Sequence, residues 1–180
     1  MRRHFAMASA FQNIASQNES KITPMIQKPV QDFYPDQASC CYGCGRLNEH
    51  GLQIKSFWEG DDVVCTFMPR EYHTSFPGYV YGGLIASLID CHSIGTAAAA
   101  MYRHENRGMD TQPAFRFVTA SLKVDFLKPT PLGTPLTVRA RAKEIKGRKV
   151  IVSAELLAND VICARGEVVA VQMPETMLKA

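Results

Sequence analysis

A chain of 180 residues, 46% hydrophobic and 21% charged, has the composition of one ordinary globular domain that can bury a core without staples. Its 20 basic and 17 acidic side chains leave a net charge of +3, scattered along the whole length. That balance gives no electrostatic footprint for nucleic acid and leaves open a mild attraction to an anionic ligand.

Residues 1–39 show no sustained periodicity and carry Pro24, Pro29 and Pro35, so they read as an N-terminal tail, partly disordered or with one short helix. The first 18 contain Arg2, Arg3 and His4 but no acid, a composition shared with organellar transit peptides. A plain tail or an upstream start codon is the simpler reading, and no secretory segment is present. The domain proper is expected over 40–175. Six cysteines occur, at 40, 41, 44, 65, 91 and 163. Cys65 and Cys163 lie in strand-like runs and Cys91 in a helical one, as buried free thiols do. A reducing, cytoplasmic setting is the expectation. Cys40, Cys41 and Cys44, with His50 nearby, invite a zinc reading. A single C-x-x-C without a second pair falls short of the four ligands a structural site needs, so a packed loop is favoured, with no metal and no cofactor.

From Gly51 the pattern sharpens. Residues 51–58 and 62–68 alternate apolar and polar around Glu59-Gly60-Asp61, which predicts a hairpin. A loop rich in aromatics, Gly and Pro leads to a helical run from Gly83 to about Tyr102, roughly 30 Å long. The lightly charged stretch 72–102 is broken by His73, Pro77, paired glycines and Asp90, so no membrane insertion is expected. Beyond the polar loop 103–113, strands are predicted at 117–128, 135–146, 149–157 and 161–172. Leu122, Val124 and Phe126 share one face; Lys123 and Asp125 share the other. Arg139, Arg141 and Lys143 read as a solvated face. The class is therefore α+β, one long central helix wrapped by a curved antiparallel sheet. A helix so apolar needs cover on most of its surface, and such a sheet leaves open edges, so at least a homodimer is expected.

Asp90 is the only formally charged side chain between Glu71 and Arg103. It lies too far along the helix to be an N-cap, and its neighbours one turn away are Ala86, Ser87, Ser93 and Ile94, none a cation. A carboxylate there is costly unless specifically compensated, and burial raises its basicity, as a general base or nucleophile requires. Periodicity alone equally allows an Asp hydrogen-bonded to Ser or backbone in the core or at a subunit seam.

The segment PGYVYGGLIASLIDCHS resembles the P-G-x-V-H-G-G signature of PaaI-like hot-dog thioesterases of the 4-hydroxybenzoyl-CoA thioesterase superfamily, with Gly82 and Gly83 at the glycine positions and Asp90 at the acid seven residues on. CYGCGRLNEHGLQI is similar to a subgroup's C-x-x-C-G-x-x-N-x-x-G-L opening; VTASLKVDFLKPTPLG and the GRK of 147–149 extend the likeness across 40–172. The resemblance implies a hot-dog fold that hydrolyses acyl-CoA thioesters to free acid and CoA, without a cofactor, as a homodimer or homotetramer. It implies that backbone amides of Gly82 or Gly83 hold the carbonyl oxygen at the helix N-terminus, and that Asp90 activates water or attacks directly, facing the glycines across a dimer interface. Thr119 takes the position of a water-orienting hydroxyl. Ser75 and Tyr81 would contact substrate; Arg148, Lys149 and Lys128 would meet CoA phosphates. Tyr81 departs from the family's His. A Tyr donates a hydrogen bond but carries protons poorly at neutral pH. The departure implies one of three things: lower activity, a missing contact supplied by His73 or His92, or a chain that binds acyl-CoA without hydrolysing it. A shared pocket for Cys91 and Asp90 is not expected, since adjacent helical residues diverge by about 100°. His92 reads as a polar residue near the interface. No P-loop lysine, no G-x-S-x-G elbow and no loop Asp-His pair of a hydratase is found.

Overall fold

The computed structural model describes residues 28–174 and Met177. The tail reading of 1–27, with the transit-peptide composition, lies outside the described residues. Residues 30–38 pack on the domain. They form two 3₁₀ turns, Val30–Phe33 and Asp36–Ala38, with Val30 and Gln31 buried. Turns this short have neither helical nor strand period, so a periodicity scan passes over them.

The expected first hairpin shrinks. Strand β1 is only Phe57–Glu59, paired with β2, Asp62–Phe67, across Gly60 at φ 62°. Upstream, Gln53 sits at φ 49°, and the amides of Leu52 and Ile54 donate to Tyr42 and Gly43 carbonyls at 2.7 and 3.1 Å. Residues 51–56 therefore serve the cysteine loop, not the sheet. Helix α1 spans Gly82–His104, slightly longer than predicted at both ends. Strands β3 (Phe117–Phe126), β4 (Leu136–Lys146), β5 (Lys149–Ala158) and β6 (Val161–Gln172) follow. All six strands make one antiparallel sheet in the order β1-β2-β4-β5-β6-β3, and α1 lies against it.

Period-two burial explains this layer. Val150, Val152, Ala154, Leu156 and Ala158 of β5 point inward, beside Leu136, Val138 and Ala140 of β4 and Ala164, Val168 and Ala170 of β6. The many small residues let α1 approach closely. At Gly166 a Cβ would lie 2.3 Å from Ile89 Cγ2, so only glycine fits where α1 crosses β6. By length and composition α1 matches a bilayer span, but most of it is buried in this core. On the outer face Arg141 and Arg139 hold Asp62 of β2 at 2.6 and 3.2 Å and keep its carboxyl below the usual range, Arg141 most strongly.

One strand face stands open, and one expectation needs correction. Leu122 and Phe126 of β3 are 38% and 58% exposed, with Val124 only half-buried, because β3 is an edge strand whose apolar face the described residues leave largely open. His92 lies in the core and not near an open surface. Its Nε2 donates to the Val63 carbonyl at 2.9 Å, and Nδ1 accepts from Ser56 Oγ at 2.8 Å. Gln31 closes the network on Ser56 at 2.8 Å. Burial pushes the His92 imidazole down to about 4, so it is neutral.

Candidate active site

Packing at Gly166 fixes Ile89, and the next residue along the helix, Asp90, turns toward β3. The β3–β6 register slips between Thr119 and Ser121. A bulge of this kind re-aims neighbouring side chains, and Thr119 Oγ1 donates to Asp90 Oδ1 at 2.5 Å. Among the described residues Asp90 makes no ion pair. Of the two serines within a turn, Ser87 Oγ donates to the Gly83 carbonyl at 2.8 Å and Ser93 Oγ is buried without a partner. The carboxylate is thus held by one hydroxyl rather than neutralised by a cation.

Asp90 and Thr119 face a cavity of about 430 Å³ with mainly apolar walls, among them Ile94, Ala98 and Phe115. Phe33 and Tyr34, from the stretch assigned to the tail, also line it. So does Cys91, against expectation: the cavity is wide enough to take two side chains that diverge on the helix. Cys91 Sγ lies 3.6 Å from Cys41 Sγ, and Cys44 joins the group. Cys40 and His50, named with them in the zinc reading, stay outside it and are exposed. The C-x-x-C spacing was visible in the sequence; the third thiol, 47 residues beyond Cys44, carried no local signal.

The remaining predicted residues fall into two groups at opposite ends of β3. At one end are Gly82 and Gly83, the first residues of α1, whose amides have no acceptor inside the helix. Gly82 lies near Phe126, the last residue of β3, two residues before the exposed Lys128. Tyr81 folds back over the turn: a Cβ on Gly83 would sit 2.3 Å from its ring. Ser75 is exposed in the preceding loop, its amide bonded to the Tyr79 carbonyl at 3.0 Å. His73 accepts the Arg70 amide through Nδ1 at 3.0 Å and caps its own turn; His92 is sealed in the core. At the other end Arg148 donates to the Gln172 carbonyl at 3.0 Å. Lys149 pairs with Val171, which pairs with Val118, so the β4–β5 hairpin lies two strands from Thr119's strand, about 10 Å away. The glycine turn does not line the Asp90 cavity, and one subunit does not bring Gly82 or Gly83 to Asp90.

A helix laid on a six-stranded antiparallel sheet, with a carboxylate on its inner third, defines the hot-dog class. Residues 77–171 match the thioesterase superfamily, and the chain belongs to it. A thioesterase superfamily protein of Shewanella loihica PV-4 is 45% identical, with TM-score 0.60 over 78% of this chain and 100% of that one. The E. coli PaaI protein shares the fold at 16% identity and TM-score 0.56, over 68% of this chain and 81% of its own. Acyl-coenzyme A thioesterase THEM4 of Xenopus laevis is 34% identical over 98 residues, 54% of this chain and 38% of that protein. The chain spans well under half the length of the curated relatives it matches.

Proposed function

We propose that this chain hydrolyses acyl-CoA thioesters to free acid and CoA, with Asp90 as the catalytic carboxylate. The observation that carries the reading is a carboxylate with no cationic partner among the described residues, held by Thr119 at 2.5 Å, at the wall of an apolar cavity of acyl-group size. The THEM4 relatives, which bear the name of acyl-CoA thioesterases, point to the same substrate class.

The active unit on this reading is a dimer. Strand β3 is an uncovered edge, and α1 runs past it with Gly82 near Phe126 and Asp90 near Thr119. Antiparallel pairing of β3 with its copy about a two-fold axis exchanges these ends and brings one subunit's glycine turn against the other's Asp90. The thioester oxygen accepts from the Gly82 or Gly83 amide at the positive helix end. Asp90 takes the proton of an attacking water, or its own oxygen attacks to give an anhydride that water then opens. In either route the C–S bond breaks and CoA leaves as the thiolate; its proton comes from the water, relayed by Asp90 in the first route and released when water opens the anhydride in the second. Arg148 and Lys149 contact CoA phosphates from the β4–β5 hairpin, and Lys128 does so from the glycine end.

A second reading, acyl-CoA binding without hydrolysis, is favoured by Tyr81, whose ring overlies Gly83 in place of a His. A thiol-release assay on short, long and aromatic acyl-CoAs separates the two. The proposal expects turnover of at least one class; binding of several with release of none supports the second reading, and Tyr81→His then tests the cause.

A further inference from the structure

We propose that Cys41, Cys44 and Cys91 form a thiolate site for a single zinc-class metal ion, pinning the cysteine loop to helix α1 one residue from Asp90. The three sulfurs lie within 4.8 Å of one another, and Cys41 and Cys91 are 3.6 Å apart. Tetrahedral zinc with Zn–S bonds of about 2.3 Å sets its sulfurs roughly 3.8 Å apart. A disulfide needs about 2.0 Å and leaves the third thiol over.

The loop is built to this arrangement. A Cβ at Gly43 would lie 2.2 Å from Cys91 Sγ, and one at Gly45 would lie 2.5 Å from the Cys41 and Ser39 backbone. Glycine at both places lets the C-x-x-C close onto the helix thiol. The loop is braced from outside by Leu52 and Ile54 amides on the Tyr42 and Gly43 carbonyls, and inside by the Gly45 amide on the Cys41 carbonyl at 2.8 Å.

Three thiols gathered this closely form a set that one cation can hold together, releasing the thiol protons as it binds. Soft thiolate sets select zinc or Cu(I) over hard cations. Among the described residues no fourth Cys, His or carboxylate joins the group. All three cysteines line the Asp90 cavity, which leaves the fourth tetrahedral position to a solvent ligand when the ion binds.

The test uses the full chain, reduced and metal-free under nitrogen, titrated with Co²⁺ and then Zn²⁺. The expected result is one cobalt per chain with a sulfur-to-cobalt charge-transfer band, abolished by stoichiometric Zn²⁺. Cys91→Ser should weaken binding by more than the roughly 10–100-fold that a change just outside the ligand shell causes. Cys40→Ser should change nothing. In the wild-type chain, where folding is not in question, Zn²⁺ should protect Cys41, Cys44 and Cys91 from alkylation and leave Cys40 reactive. Absence of the band, unchanged binding by Cys91→Ser, or a Cys41–Cys91 disulfide persisting with zinc present would overturn the proposal. None of these readouts depends on thioester hydrolysis.

Discussion

Two titratable residues within one turn of α1 have opposite fates. Asp90 faces a cavity and keeps one hydroxyl partner; His92, two residues on, is sealed with both ring nitrogens bonded. The difference is legible only in part from sequence. An uncharged helix singles out Asp90, because a carboxylate without a local cation has no structural economy. The same helix says nothing of His92, whose partners Ser56 and Val63 lie 36 and 29 residues away. The buried histidine has a measurable consequence. Its folded pKa, about 4, lies below its ordinary 6.5, so the unfolded chain binds the extra proton first. The stabilisation is complete above pH 6.5 and is lost as pH falls toward 4, about 3 kcal/mol in all. Melting temperature should therefore drop across that interval, and His92→Gln should flatten the drop while lowering stability at neutral pH. A wild-type melting curve unchanged between pH 7 and 5 would mean that His92 is protonated in the fold.

At the scale of elements, α1 and the four long strands were readable because each repeats its period for ten residues or more. What escaped was short or non-local: the two 3₁₀ turns, the loss of strand at 51–56 to the cysteine loop, and the bulge that aims Thr119. Helix and sheet meet closely at Gly166, against Ile89, the residue before Asp90. Gly166→Ala should cost about 1–3 kcal/mol by overpacking. Because Ile89 must move, it should also lower turnover; equal melting temperatures for variant and parent would refute the close approach. The β4–β5 hairpin is the second element with an expected role. Replacing Arg148 and Lys149 together by Ala should raise KM for CoA esters more than it lowers kcat, with the gap narrowing at high salt. An unchanged KM would place the phosphates elsewhere.

At the largest scale, β3 is left unpaired on one side among the described residues, with Leu122 and Phe126 exposed, and the glycine turn stays away from its own Asp90. A sequence pattern sorts Leu122, Val124 and Phe126 from Lys123 and Asp125 but does not say which strand lies at the sheet edge, because strand order depends on non-local pairing. Both features are accounted for by a two-fold dimer, so light scattering at micromolar concentration should show at least two chains. An active monomer would contradict the shared site. The central claim rests on Asp90 and is tested most directly by the rate of acyl-CoA hydrolysis for Asp90→Asn beside the parent. Asn keeps the shape and can still accept from Thr119, so fold and assembly should survive. Without the carboxylate, kcat should fall at least ~100-fold. An Asn variant that retains most of the parent's rate would show that another group does the chemistry.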